Sequence, residues 1–400
     1  MDERRKSKAV TLEGRGYLVT IKKKQISANY RKINQAPVIP KTQGMTMGIL
    51  ITGGIGDYIQ ATRTVRGLIR KFQPTYTEIY THPYTVGTPN TSTNAFGIFD
   101  NMVKVSQVTD IKNHETLHRT SIRLAPYYDI WADLRYISKL YLSEKAKKQL
   151  TARSIFPKNN CGSDYLGNHP ARWWHYNFLA NNNELGKLGK NLMELRDLSL
   201  GITTTPNNMT ISINDAHIKQ AQELTSNFDQ FICIHHGAHP KCQTKLWKTS
   251  HWEELVEAIN QEIKIPVVQI GTSIEDTIRG VINLLGQTTL QSAAIIAASA
   301  SAYIDIEGGI IHARRAITTD PAIVLFGATP ITAFGYDENI NISADVCEPC
   351  WWITPQWGTT CPREINYKCM RAITPKRVFD AVLTCCERSE QAQDAGCGSS

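Results

Sequence analysis

Hydrophobic positions along this chain switch repeatedly between two periods. Met47-Gly48-Ile49-Leu50-Ile51 is a short, β-prone apolar run that breaks on Gly53, Gly54 and Gly56. Beyond the break, Ile59, Thr62, Val65, Arg66 and Ile69 recur at helical spacing. The pattern predicts strand, tight glycine loop and helix. Strands are predicted next at 78–81, 101–105 and 128–134, with a polar loop at 83–94 and an aromatic-rich helix over 169–188. A Pro- and Asn-bearing stretch at 201–213 reads as a connection, after which the cycle restarts. Strands are predicted at 231–234, 265–270, 301–306 and 322–326, and helices at 252–261, 290–300 and 310–317. Repeated βα units with glycine at strand ends mean parallel sheets covered by helices. The chain therefore reads as α/β, with two such sheets in series and ligands in the cleft at the strand C-termini.

Charge divides the chain unevenly. Residues 1–44 hold eleven basic and three acidic side chains, which accounts for the whole net charge of +8. A basic arm on a neutral body suits either a solvated segment or an acidic partner. Within it, 17–21 reads as a strand. No apolar run is long enough to span a membrane and no secretory pattern opens the chain, so a cytoplasmic location is expected. The expected divisions are a basic arm (1–44), a first α/β domain (45–214), a second α/β domain (215–345), a cysteine-bearing finger (346–373) and a C-terminal helix and tail (374–400).

Candidate chemistry collects at the strand ends. A glycine loop feeding a helix offers backbone N–H groups to an anion. Asp57 stands at the mouth of that loop, where it either caps the helix or takes a proton from a nucleophile. In the second half, His236-Gly237 leads to Lys241 and Lys245, either of which is well placed to neutralise phosphate. Glu307-Gly308-Gly309 opens a second such loop, in which Glu307 suits sugar hydroxyls, and Thr329 closes a third strand. The donor-binding candidates are Gly54, Gly56, Lys245, Glu307, Gly308, Gly309, His312 and Thr329.

The order GGIGD, YDIWADLR, HHGAHPKCQTKLW, LLGQTTL, IDIEGGIIH and LFGATP resembles the bacterial ADP-heptose heptosyltransferases over about residues 47–335. The resemblance implies a GT-B fold, with two Rossmann-like domains facing a cleft, the first (45–214) for the acceptor and the second (215–345) for the nucleotide sugar, and inverting sugar transfer from a nucleotide-sugar donor, ADP-heptose. It implies Asp57 as the base and Lys245 as the phosphate lysine, with no catalytic metal. Glu307 stands where that family usually has Asp, a longer arm with the same charge.

Cys347 and Cys350 form a C-x₂-C pair, and Cys361 and Cys369 follow, four of the ten cysteines in the chain. Such clustering in a cytosolic protein favours a metal over disulfides, and an S₄ set suits one structural Fe or Zn ion. CEPC, TCPR and YKCMRAIT resemble the cysteine finger of the bacterial autotransporter heptosyltransferases, which glycosylate adhesin proteins and hold iron there. This chain has only about forty residues before its first glycine loop, where that family carries a longer β-rich domain. The implied partners are a nucleotide-sugar donor, a protein or lipopolysaccharide-type glycolipid acceptor and further copies of the chain, with no nucleic acid. The rival readings are a sugar-nucleotide epimerase on the same fold, a zinc-finger nucleic-acid binder and a non-catalytic scaffold.

Overall fold

The computed structural model of the 400-residue chain describes residues 29–31, 36–51, 53–81, 104–108, 121–134, 139–155, 189, 191–240 and 242–397. Its first half is built on β1 (Asn29–Arg31), β2 (Thr46–Ile51), α1 (Ile55–Phe72), β3 (Tyr76–Thr81), β4 (Lys104–Val108), β5 (Ile130–Leu134), β6 (Lys139–Leu142), α2 (Glu144–Ala152) and α3 (Leu192–Ser199). These strands form one six-stranded sheet in the order β1-β4-β3-β2-β5-β6, parallel except for β6. Every residue of β2 is buried, as a continuous apolar run in a sheet covered on both faces must be. Gly48 is required there, because a Cβ would lie 2.5 Å from the Trp131 ring and 2.7 Å from Tyr128.

The second half continues with α4 (Asp215–Thr225), β7 (Ile232–His235), α5 (Thr249–Ala258), β8 (Val267–Gln269), β9 (Ile282–Asn283), α6 (Leu290–Ser299), β10 (Ala302–Ile306), α7 (Gly309–Arg315), β11 (Ile323–Leu325), α8 (Ile331–Phe334), β12 (Ile340–Ile342), α9 (Lys368–Arg371) and α10 (Pro375–Cys397). Its six strands run wholly parallel in the order β12-β11-β10-β7-β8-β9. Read from β9, this is the doubly wound order 3-2-1-4-5-6. Helix starts are set by local chemistry: Asn214 and Thr289 accept N–H bonds at the mouths of α4 and α6. Helices α5 and α10 pack Trp252, Leu255, Val378 and Val382 against Ile232, Ile234 and Ile304 on one face of this sheet.

Both sheets put their switch point, between β2 and β5 and between β7 and β10, beside a glycine loop. The two halves share a core as well: Ala294 and Ala313 of the second half pack with Ile59, Val65 and Leu68 of α1. Most strand and helix expectations are met to within one to three residues, and β4 begins at Lys104. The antiparallel β6, helix α2 and the edge strands β9 and β12 carry too few apolar positions to show a period. The arm expected over 1–44 contributes β1, which pairs with β4. The strand expected at 17–21, the loop at 83–94 and the helix at 169–188 lie outside the described residues. Among the described residues, no helix is long and apolar enough to cross a membrane.

Gly48→Ala should cost about 1–3 kcal/mol, the usual penalty of overpacking a filled core. Chemical denaturation of the variant against wild type measures it, and an unchanged midpoint would show that Trp131 moves aside freely.

Candidate active site

Helix α1 begins on a tight turn. Gly53 has φ +121°, and the Gly54 N–H donates to Asp57 Oδ2 at 2.7 Å. Asp57 therefore caps its helix, as one of the two sequence readings requires. Its carboxyl is half-buried, and desolvation raises its pKa above the ordinary 3.8, opposed by the charge of Arg196, the Gly54 bond and Lys245, and assisted by Glu307. Asp57 thus stands close enough to Lys245 and Glu307 to feel both.

Three loops of the second sheet meet at Glu307, just past β10. Lys245 Nζ pairs with Glu307 Oε2 and also donates to the Glu307 carbonyl at 3.4 Å. The Thr329 hydroxyl, beyond β11, donates to the same Oε2 at 2.9 Å. His312 Nε2 lies 4.0 Å from Oε1. Burial alone would raise the Glu307 pKa, but Lys245 and His312 outweigh it and hold the carboxyl below its usual value. Burial would lower Lys245, and Glu307 more than restores it. His312 is pushed down to about 4 by burial, with Glu307 opposing and Lys245 assisting, so it is neutral near pH 7.

The two halves touch through glycines. A Cβ on Gly56 would lie 2.5 Å from His312 Cδ2 and 3.6 Å from Gly309 Cα. Beside that contact, His312 Nδ1 is 2.9 Å from Gln60 Nε2 and 2.6 Å from the Tyr336 hydroxyl, and Gln60 and Tyr336 are 3.4 Å apart. Gly54, Gly56, Asp57, Lys245, Glu307, Gly308, Gly309, His312 and Thr329 are thus gathered by two sheets into one region. Lys241, the alternative phosphate lysine, lies outside the described residues.

Several residues here were not singled out from the sequence. Gln60 sits one helical turn after Asp57, and that spacing was the available signal. Arg196 is 1% exposed on α3, and nothing in its sequence neighbourhood distinguishes it. Glu275 follows the strand-end Gly271, repeating the pattern of glycine then carboxylate. A Cβ on Gly237 or Gly271 would come within 2.1 or 2.4 Å of its carboxylate oxygens. Glu275 faces His235 Nε2 at 3.7 Å and His236 Nδ1 at 3.8 Å, and His235 Nδ1 lies 2.7 Å from Asp305. Burial opposes the charge on His235, but Asp305 and then Glu275 raise its pKa to about 10.

The four finger cysteines are free thiols, and among the described residues no three His, Cys, Asp or Glu side chains converge into a metal-holding group. The thiols nevertheless share one region. Cys350 is raised to about 12 by burial and then by Cys369, Cys361 and Cys347. Cys369 shares a hydrogen bond with Cys347. Burial opposes ionisation of Cys361, yet N–H bonds from Tyr367, Arg363, Ile365 and Glu364 lower its pKa. Glu364, Asn366 and Tyr367 have positive φ, which curls those N–H groups around the sulfur. A cavity of about 240 Å³ lies between the loop after β11 and the finger, with Cys347 and Cys369 both in its wall. Two soft donors thus face that space, while Cys350 and Cys361 are not in its wall.

Residues 162–356 match the family described as glycosyltransferase family 9 (heptosyltransferase). The chain is a glycosyltransferase, similar over that stretch to those of family 9. No curated protein matches it. Among solved structures, it is similar to the glycosyl transferase family 9 protein from Veillonella parvula DSM 2008, at 13% identity and TM-score 0.57, covering 88% of this chain and 100% of that one. It is similar to E. coli ADP-heptose lps heptosyltransferase II, at 16% identity and TM-score 0.51, covering 86% and 100%. It is also similar to the iron-containing dodecameric glycosyltransferase TibC from enterotoxigenic E. coli H10407, at 15% identity and TM-score 0.54, covering 88% and 78%. The two facing parallel sheets of this transferase are the GT-B architecture expected from its motifs.

The depressed His312 has a consequence for stability. Between 6.5 and about 4 the unfolded chain binds a proton that the folded ring refuses, so stability falls as pH drops through that window. His312→Gln should flatten this acid-side slope. Urea midpoints of both proteins at several pH values across the window test it, and parallel curves would contradict it.

Proposed function

We propose that this transferase moves heptose from ADP-heptose to a hydroxyl acceptor on a protein or glycolipid, in one inverting step. The observation that supports the reading best is the half-buried Asp57 of the first half facing the Lys245–Glu307 pair of the second. The acceptor oxygen bonds to the donor's anomeric carbon from the face opposite the leaving group. The bond from that carbon to the diphosphate breaks, and its electron pair leaves with the nucleoside diphosphate. The acceptor proton passes to the Asp57 carboxylate, whose raised pKa makes it a stronger base than a solvated aspartate. Lys245 offsets the charge of the departing diphosphate, while backbone N–H groups at Gly54, Gly56, Gly308 and Gly309 and the Thr329 hydroxyl bind the donor. Glu307 accepts bonds from the sugar hydroxyls through the oxygen facing His312.

Cys347, Cys350, Cys361 and Cys369 would hold one Fe or Zn ion with a structural role, tying together a segment whose single helix is the four-residue α9. No step of transfer passes through it. The eight described free cysteines suit a reducing, cytoplasmic setting. Glycosyltransferase TibC is iron-containing and dodecameric by its description. For this chain, self-association and the choice of iron follow as proposals from that similarity.

Asp57→Asn keeps an acceptor for the Gly54 N–H and removes the base. It should lower ADP release from ADP-heptose in the presence of acceptor by about a hundredfold to ten-thousandfold, with ADP affinity and melting temperature nearly unchanged. In wild type, kcat/KM should fall on acidification as Asp57 takes up its proton, above the ordinary 3.8. Activity within tenfold of wild type in Asp57→Asn would make Asp57 a helix cap alone.

Cys361→Ser should lose the ion and lower stability. Elemental analysis reads the loss directly, and bound iron would also colour the wild-type protein through thiolate charge transfer. Full metal occupancy in the variant would remove Cys361 from the site.

A further inference from the structure

The finger reaches into the donor loops. The Thr244 N–H donates to the Gly358 carbonyl at 2.9 Å, and Trp247 Nε1 donates to the Ile373 carbonyl at 2.9 Å. On the neighbouring loop, the Cys350 N–H donates to the Ala328 carbonyl at 2.9 Å. Met370 closes on Gly327 so tightly that a Cβ there would lie 2.5 Å from its sulfur. These contacts hold the two loops that supply Lys245 and Thr329 to Glu307. At their centre the Lys245 ammonium stands 6.0 Å from the centroid of the Trp357 ring. Trp357 is 9% exposed, and the Trp352 ring lies 5.9 Å from it. An ammonium near an indole face is attracted by the ring's quadrupole, more strongly where water is excluded.

A long lysine stem has many rotamers, and ordering it costs free energy whenever it must meet a ligand. Two features remove that cost here: Glu307 draws the ammonium to one side, and the indole holds it from another. We propose that Trp357 is a positioning residue for Lys245, keeping its ammonium aimed at the donor's diphosphate, so that the finger sets donor affinity through one ring. This rests on the reading of Lys245 as the phosphate lysine.

The test uses the full-length, metal-loaded protein, with ADP as the probe and calorimetry as the readout. Lys245→Ala should weaken ADP binding. Trp357→Met, which keeps apolar bulk and removes the ring, should weaken it by about tenfold, within the range of a desolvated cation–π contact. In the Lys245→Ala background, Trp357→Met should have no further effect, because no ammonium is left to position. Site-specific fluorination of Trp357, which drains the ring face and keeps its shape, should weaken ADP binding stepwise with each fluorine, and this series covers the case in which Trp357→Met does not fold. Unchanged affinity in Lys245→Ala would overturn the reading of the site and this proposal with it. A weakened Lys245→Ala beside an unchanged Trp357→Met would overturn the positioning role alone. Equal losses from Trp357→Met with and without Lys245, or a flat fluorine series, would reduce Trp357 to packing.

Discussion

A buried lysine–glutamate pair organises the strand-end loops of the second sheet. Removing either charge from water costs several kcal/mol unless the other answers it, so Lys245 and Glu307 fix one another. Each belongs to a different strand-end loop, and Thr329 on a third loop joins the same oxygen. Three loops that could wander separately are thereby locked. The lock extends outward through electrostatics: at Asp57 Glu307 assists burial and Lys245 opposes it, and at His312 Glu307 opposes burial and Lys245 assists it.

Close backbone approach is what brings the first half to this pair. With Gly56 in contact with the His312 ring and Gly309, no side chain separates the two helix starts. A residue larger than glycine at 56 would push α1 away and carry Asp57 with it. The location of Asp57 is therefore set by an absence of side-chain atoms as much as by the carboxylate itself. Gln60 and Tyr336 both meet His312 at its Nδ1.

The architecture was legible because glycines punctuated apolar runs, and parallel sheets need long apolar strands with sharp ends. Asp57, Lys245 and Glu307 stood out as charges just past those ends. Edge elements such as β9, two exposed residues long, left no period to read. Arg196 was hidden for a different reason: its influence on Asp57 comes from three-dimensional packing of a helix more than a hundred residues away. The approach of Trp357 to Lys245 likewise joins residues more than a hundred positions apart. Local pattern reports which residues end strands. It is silent on which distant loops share a charge.

Helix α1 is almost wholly enclosed by the structure around it. Of its eighteen residues, only Arg70 is exposed. One turn carries Asp57, the next carries Gln60 against the second half, Arg63 then pairs with Asp197 at 2.9 Å, and Val65 and Leu68 fill the core. Such a helix has almost no neutral positions. Changes at one end of the helix are felt at the other, where it meets the second half, through the same rigid rod. Tolerated sequence change is thereby steered to loops that α1 does not touch, while the helix itself drifts slowly.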